Sequence, residues 1–129
     1  MIKKIGLTVT VIAFVCAGVA LAQQAGIKRT PLQKAEFPDG YVTVTAMAEV
    51  PPGGSPGRHT HPGLETGYIL EGEADLLIDG QPAQHLKAGD SYQIPAGTIH
   101  DAKASADKPF KFIAIYVVDK SKPLATPAP

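Results

Sequence analysis

Hydrophobic and polar residues alternate with a period of two in several stretches of this chain. The clearest alternation runs through residues 41–50, shorter runs rich in Tyr, Ile and Leu occupy 67–71 and 74–78, and a last run covers 110–118. Side chains two apart share one face of a strand, so this pattern predicts strands with one buried face. From residue 23 onward, no stretch repeats with the period of an amphipathic helix. The pattern therefore predicts an all-β domain.

Turn-forming residues separate the predicted strands. Residues 51–57 read Pro-Pro-Gly-Gly-Ser-Pro-Gly, and further turns are predicted at 79–80, 88–90 and 95–97. The Asp-Gly pair at 79–80 is a strong hairpin signal, because both residues tolerate a positive φ. The chain has 13 Gly and 12 Pro among 129 residues, which indicates frequent turns. Many short strands joined by such turns predict a sandwich or a barrel.

The first 22 residues have the layout of a secretory signal peptide. A basic start at 1–4 precedes an uncharged stretch at 5–22, which ends in Ala-Leu-Ala. We expect cleavage after Ala22, a periplasmic location, and no stable membrane insertion of the mature domain. An uncleaved anchor is the alternative, since the uncharged stretch is just long enough to span a bilayer. Lipidation at Cys16 is a weaker alternative, because bulky residues precede that cysteine.

Length and charge limit the number of domains and the kinds of partner expected for the rest of the chain. We assign 23–35 to a lead-in segment, 36–119 to the barrel and 120–129 to a disordered, proline-rich tail, which together form one domain-sized unit. The 12 Lys and Arg balance the 12 Asp and Glu, and this balance argues against a nucleic-acid partner. The single cysteine lies in the signal segment, so the mature domain is expected to have no disulfide.

Candidate chemistry lies with the histidines. His59 and His61 lie two apart, so a strand would present both imidazoles on one face. Pro62 argues against a helix here, and a turn would direct Glu65 on the next strand back toward the two rings. His100 follows another turn at the start of a strand. Convergence of these four residues inside one sheet would form a site of three histidines and one carboxylate.

Two sequence motifs around these residues resemble the motifs of the cupin family. The first has glycines, histidines and a glutamate at the family's spacing, namely Gly53, His59, His61, Glu65 and Gly72. The second has its glycines, proline and histidine at the family's spacing, namely Gly89, Pro95, Gly97 and His100. Ala104 stands where the second motif usually has asparagine, which is not a metal ligand in the family.

The resemblance implies a small jelly-roll β-barrel of roughly six to eight strands that holds a metal ion. It implies that the metal ligands are His59, His61, Glu65 and His100. It also implies the short, single-domain type of cupin, which often pairs through its sheets, so a homodimer is a possible partner arrangement. His85 lies outside both motifs, and we interpret it as an ordinary surface histidine.

The ligand types narrow the identity of the metal. Imidazole and carboxylate suit one divalent transition ion, such as Fe, Mn, Co, Ni, Cu or Zn, and they argue against Ca or Mg. Three neutral imidazoles and one carboxylate leave a formal single positive charge on such a site. We therefore expect a small ligand with an anionic oxygen. Because protonated imidazole cannot bind metal, we expect metal release as the pH falls toward about 6.

Three tyrosines are the best candidates for an acid, a base or an orienting group near the metal: Tyr68, Tyr92 and Tyr116.

Two functions stay open at this point. The first is a metal-dependent enzyme of dioxygenase, isomerase or lyase type that acts on a small oxygenated molecule. The second is a non-catalytic module that uses the metal to bind a small molecule.

Overall fold

Two antiparallel five-stranded sheets pack face to face in this computed structural model, which describes residues 24–129. The strands, in chain order, are β1 (Lys28–Ala35), β2 (Tyr41–Val50), β3 (His59–Thr60), β4 (Gly63–Glu71), β5 (Glu73–Ile78), β6 (Gln84–Lys87), β7 (Ser91–Ile94), β8 (His100–Ala104), β9 (Phe110–Asp119) and β10 (Thr126–Pro127). The first sheet has the order β1-β2-β9-β4-β7, and the second has the order β10-β3-β8-β5-β6. The predicted all-β fold is confirmed.

The core lies between the inner faces of the two sheets. Strands β2 and β9 pair along their full length, and both alternate buried with less buried residues. Buried partners therefore lie opposite one another, as Ala48 lies opposite Phe112 and Val44 lies opposite Tyr116. Leu76 of β5 adds a buried side chain from the second sheet. This alternation is the period-two pattern that the sequence displays at 41–50 and 110–118.

Strand β1 corrects the predicted lead-in over residues 23–35. Residues 28–35 pair with β2 and form an edge of the first sheet. The sequence shows no alternation of apolar and polar residues over β1, because Arg29 is the only buried residue of this strand. The register shifts between Pro31 and Gln33, at a proline that has no N–H to contribute to the ladder. An edge strand held by backbone hydrogen bonds needs no hydrophobic alternation.

The tail over residues 120–129 also differs from the prediction of disorder. Leu124 is only 6% exposed, and β10 pairs with β3. The Ala128 N–H donates to the Arg58 carbonyl at 2.9 Å, and Arg58 Nε donates to the carbonyl oxygen of Pro129 at 2.7 Å. Proline-rich composition suggested a solvated tail, but one buried leucine and a two-residue ladder dock this segment on the second sheet.

The predicted signal peptide, its cleavage site at Ala22 and Cys16 all lie outside the described residues. Within residues 24–129, no helix has the length and apolar character needed to cross a membrane. The periplasmic location expected from the first 22 residues stays a prediction.

Leu124→Ala tests whether the tail belongs to the fold. We expect the free energy of unfolding to fall by about 2 kcal/mol, because the substitution removes a buried leucine side chain. Urea denaturation measures this change. Leu32→Ala is the matched control, because Leu32 is 52% exposed and its loss should change stability by less than about 0.5 kcal/mol. Equal stability of the two variants would contradict a docked tail.

Candidate metal centre

Three histidine side chains meet inside the barrel. His59, His61 and His100 are all buried. Their ring centroids lie 4.2 Å apart for His59 and His100, and 4.9 Å apart for His59 and His61. The rings of His61 and His100 are 5.1 Å apart. One nitrogen from each ring lies within 4.8 Å of the others, so the group could hold a metal ion.

Backbone pairing and one turn bring these rings together. His59 on β3 and His100 on β8 are direct register partners. His61 follows β3, and its carbonyl accepts a hydrogen bond of 2.9 Å from the N–H of Gly97, in the turn before β8. Gly97 has a φ of +71°, a conformation that other residues rarely adopt. The turn thereby ties the two histidine-bearing segments together.

Each ring has a backbone carbonyl at its Nδ1 atom. Nδ1 of His59 lies 2.7 Å from the Gly57 carbonyl, and Nδ1 of His61 lies 2.6 Å from the Leu124 carbonyl. Nδ1 of His100 lies 2.9 Å from the Thr98 carbonyl. A carbonyl oxygen only accepts, so each Nδ1 carries a hydrogen and donates it. The lone pair of the neutral ring then lies on Nε2. All three rings are therefore held in the tautomer that binds a metal through Nε2.

Glu65 reaches the same space from the first sheet. It lies on β4, it is buried, and its Oε1 accepts a hydrogen bond of 2.7 Å from the Tyr92 hydroxyl. Its Oε2 lies 2.9 Å from Nε2 of His61 and 3.3 Å from Nε2 of His100. The structure thus brings the four predicted ligand residues together, but from both sheets rather than inside one sheet.

Two atoms of this group are buried without a hydrogen-bond partner in the described part of the chain: His61 Nε2 and Glu65 Oε2. They lie 2.9 Å apart, a separation that suits an ion pair only when the imidazole is protonated. An unsatisfied buried polar atom costs roughly 1–3 kcal/mol. A divalent cation bound by both atoms would remove this cost. The residues present therefore fit a metal ion.

Burial and neighbouring groups set the protonation states. Burial lowers the pKa of His59 to about 4, so this imidazole is neutral at physiological pH. Burial alone would raise the pKa of Glu65, but the contacts with His100, His61 and Tyr92 outweigh it and hold this pKa below its usual range. Neutral imidazole and ionised carboxylate are the forms that bind a metal.

Tyr92 positions Glu65, and Gly67 makes room for Tyr92. The two residues are register partners on β4 and β7. A Cβ at Gly67 would lie 2.4 Å from Cε1 and 2.6 Å from the hydroxyl oxygen of Tyr92, so a larger residue would displace the ring. Burial, together with the Glu65 charge, raises the pKa of Tyr92 well above its ordinary value. Tyr92 is therefore a neutral donor that holds Oε1 and leaves Oε2 toward the histidines.

Tyr116 also lies at the site, whereas Tyr68 does not. The Tyr116 ring lies 5.0 Å from the His61 ring, and its hydroxyl accepts a hydrogen bond of 3.0 Å from Arg29 Nε. Burial raises the pKa of Tyr116, so its hydroxyl is neutral. Tyr68 is 52% exposed and lies three residues from Glu65, on the outer face of β4. The structure therefore contradicts the prediction that Tyr68 acts at the metal.

A narrow cavity adjoins the histidines. Its volume is about 30 Å³, which is room for about two water molecules. Its polar lining includes His59, His100, Glu65 and Arg29, and the other walls are mostly apolar. Arg29 was not predicted as a site residue, because residues 23–35 were assigned to a lead-in segment. The signal that could have found it is its spacing of two from the apolar Ile27, since both residues are buried.

Comparison with known proteins extends the resemblance beyond the two motifs. The sequence model of the cupin domain family matches residues 46–116, more than half of the chain. The chain belongs to the cupin family. In this cupin the match includes all three clustered histidines and Glu65, and it confirms the family that the motifs indicate.

One relative is similar in both sequence and structure. The dimethylsulfoniopropionate lyase DddQ from Ruegeria pomeroyi is 38% identical over 58 residues, which are 45% of this chain and 28% of the lyase. Its crystal structure has a TM-score of 0.64 and 26% identity, and the likeness covers 79% of this chain and 51% of that one. This cupin spans under a third of the length of the curated relatives that it matches.

Two further solved structures show the same barrel. A conserved protein with a double-stranded β-helix domain from Klebsiella pneumoniae has a TM-score of 0.65 and 24% identity, over 81% of this chain and 88% of that one. A recombinant oxalate oxidase in complex with glycolate has a TM-score of 0.63 and 22% identity, over 83% of this chain and 57% of that one. These likenesses confirm the predicted jelly-roll fold.

The pKa of His59 predicts how the stability of metal-free protein depends on pH. An unfolded imidazole binds a proton near pH 6.5, but folded His59 does so only near pH 4. Below pH 6.5 the unfolded state therefore holds more protons, and stability falls between pH 6.5 and 4 by about 2–3 kcal/mol from this residue. Urea denaturation in the presence of a chelator measures this loss.

The matched variants for this pH dependence are His59→Gln and His85→Gln. His59→Gln should remove most of the loss, because glutamine does not titrate. His85→Gln should retain it, because His85 is exposed and lies outside the site, beside Asp75. An unchanged pH profile in His59→Gln would contradict a buried neutral imidazole at this position.

Proposed function

We propose that this cupin is a metal-dependent enzyme that acts on a small oxygenated molecule through an anionic oxygen. The observation that carries the proposal is the pair of buried, unsatisfied acceptor atoms on His61 and Glu65, which face each other inside an apolar barrel. The predicted single positive charge of a loaded site favours an anionic oxygen in the ligand.

The proposed metal ligands are Nε2 of His59, His61 and His100 and Oε2 of Glu65. The ion is one divalent transition metal, either Fe, Mn, Co, Ni, Cu or Zn, because these metals accept imidazole together with carboxylate. When bound, such an ion supplies a Lewis acid that stabilises negative charge on a substrate oxygen.

The chain's own residues would orient the ligands and limit the access of water. Tyr92 keeps Glu65 in one rotamer through its hydrogen bond to Oε1. The mostly apolar cavity walls lower the local dielectric, and this strengthens electrostatic interactions with a bound substrate. Tyr116 is the proposed acid or orienting group, because its ring lies 5.0 Å from the His61 ring and its hydroxyl is neutral.

The relatives support a small substrate. DddQ is by name a lyase of dimethylsulfoniopropionate, and the oxalate oxidase structure contains glycolate. We propose a reaction of lyase, dioxygenase or isomerase type for this cupin.

A non-catalytic binding module is the second candidate function. It is favoured by the engagement of both site tyrosines, since Tyr92 donates to Glu65 and Tyr116 accepts from Arg29. The apolar cavity walls also suit binding without turnover. Metal-loaded protein that binds small molecules tightly but converts none of them would support this second function.

We also propose that the protein is exported to the periplasm. The support is the basic start, the uncharged stretch and the Ala-Leu-Ala end of the first 22 residues. A second copy of the chain remains a possible partner, and a small molecule is the proposed ligand.

Glu65→Gln tests the metal site. Loss of the carboxylate charge should weaken zinc binding at least tenfold, as measured by competition with a fluorescent chelator.

Glu71→Gln is the control on the same strand, because Glu71 is exposed and pairs with Lys111 at the surface. It should change neither zinc affinity nor metal-free stability by a measurable amount. The proposed metal site is wrong if Glu65→Gln binds zinc as well as the wild type. It is also wrong if the wild type binds less than one zinc ion per chain at saturation.

A further inference from the structure

His61 differs from the other two clustered histidines in the part of the chain that orients its ring. The carbonyls at Nδ1 of His59 and His100 belong to residues two positions earlier in the chain. The carbonyl at Nδ1 of His61 belongs to Leu124, which is 63 positions away. The first two rings are therefore oriented by the segments that carry them, whereas the His61 ring is oriented by the tail over residues 120–129.

The contact between His61 and the tail is short and buried. Nδ1 of His61 lies 2.6 Å from the Leu124 carbonyl, and both residues are buried. A buried N–H that loses its acceptor costs free energy, so the docked tail favours the ring with its hydrogen on Nδ1. The other ring nitrogen, Nε2, lies 2.9 Å from Oε2 of Glu65. The Leu124 carbonyl therefore helps to determine where this candidate ligand atom points.

The tail also pairs with the strand that leads to His61. Strand β3 (His59–Thr60) has two residues and lies between β10 and β8 in the second sheet. On the β8 side its register partner is His100, and on the other side both of its residues pair with β10. Without β10, strand β3 would become a two-residue edge strand with one register partner. The tail therefore supports the backbone that carries His59 and precedes His61.

Few contacts hold the tail in place. Leu124 is the one buried residue among 120–129. Farther along, the Ala128 N–H donates to the Arg58 carbonyl at 2.9 Å, and Arg58 Nε donates to the Pro129 carbonyl at 2.7 Å. The Arg58 guanidinium makes two further hydrogen bonds of 2.8 Å to Asp79. A segment with one buried side chain opens at a lower free energy than the barrel core.

We propose that the tail positions His61 for metal binding, so that docking of the tail and occupation of the metal centre strengthen each other. Leu124 is a positioning residue, because it acts on the metal through the His61 ring. When the tail opens, it releases Nδ1 of His61 and one edge of β3, and the remaining ligand set binds a metal more weakly. Coupling between two equilibria is reciprocal, so a bound metal holds the tail in place to the same degree. This inference rests on the proposed metal-dependent function and adds a conformational control of the same site.

A purely structural tail would stabilise the fold without affecting the metal. Its loss would lower the free energy of unfolding, but the folded protein would bind zinc with unchanged affinity. Zinc would then have no effect on the opening of the tail. Zinc affinity and tail opening therefore distinguish the two roles.

The first test is the zinc affinity of Leu124→Ala, measured by competition with a fluorescent chelator. We expect affinity about tenfold weaker than that of the wild type, as is typical when a ligating histidine loses its outer hydrogen-bond partner. Leu124→Met should bind zinc as the wild type does, because methionine fills a similar volume and keeps the tail docked.

Val50→Ala is the control for a general loss of stability. It also truncates a buried apolar side chain, but Val50 lies opposite Phe110, at the end of β2 far from the start of the tail. Its zinc affinity should match that of the wild type.

The second test is hydrogen exchange in the wild-type protein, which needs no variant. Saturating zinc should slow exchange of the Ala128 amide about tenfold relative to chelator-treated protein, because the two equilibria are coupled by one factor. The Gln81 amide, which donates to the Ile78 carbonyl in the turn after β5, should exchange at the same rate in both samples.

The histidine ¹⁵N spectrum of metal-free Leu124→Ala adds a signature that a purely structural tail would not produce. His61 should lose its exclusive Nδ1–H form, because its carbonyl partner moves away. His59 and His100 should keep theirs, since their carbonyl partners are local.

Three results would overturn the positioning role of the tail. These are equal zinc affinity in Leu124→Ala and the wild type, an Ala128 exchange rate that zinc does not change, and an equal loss of zinc affinity in Val50→Ala. Each of them leaves the proposed metal site intact if the wild type still binds one zinc ion per chain. Failure of the wild type to bind zinc would instead overturn the proposed function on which this inference rests.

Discussion

Three hydrogen bonds from imidazole Nδ1 atoms to backbone carbonyls determine the chemistry available to this barrel. They keep the hydrogen of each ring on Nδ1 and direct Nε2 of all three rings into a shared space. The carbonyls belong to Gly57, Thr98 and Leu124, which lie before β3, before β8 and in the tail. The candidate centre therefore depends on three connecting segments as much as on the strands that carry its histidines.

The metal-free arrangement leaves two buried polar atoms unsatisfied. Nε2 of His61 and Oε2 of Glu65 lie 2.9 Å apart, and neither has a hydrogen-bond partner within residues 24–129. The apolar contacts of the two sheets must offset this cost. A cation bound by both atoms would satisfy them and join β3, β8 and β4 across the sandwich, so metal binding and stability are coupled. Such coupling is expected where functional groups are placed against the demands of packing.

The sequence predicts most of the central barrel and the histidine cluster, because both depend on local spacing. Alternation defines β2 and β9, and the interval between His59 and His61 places both rings on the same side. Arg29, the docked tail and the exposed position of Tyr68 were not predicted. Strand β1 has no hydrophobic periodicity, because it is an edge strand with one buried residue. Leu124 is buried by contacts with residues far away in the sequence, which its local sequence does not show. A tyrosine on a predicted strand does not reveal which face of the sheet it occupies. Gly67 is the first residue of the predicted strand at 67–71, and its partner Tyr92 depends on the register of β7.

The most direct measurement is the side-chain ¹⁵N spectrum of the histidines during zinc titration. One equivalent of zinc should shift the Nε2 signals of His59, His61 and His100 together. Their Nδ1 atoms should stay protonated, and the exposed His85 should keep its signals until excess zinc is present. This metal centre would be ruled out if zinc shifted the signals of fewer than these three rings, if it bound through Nδ1, or if the His85 signals shifted first.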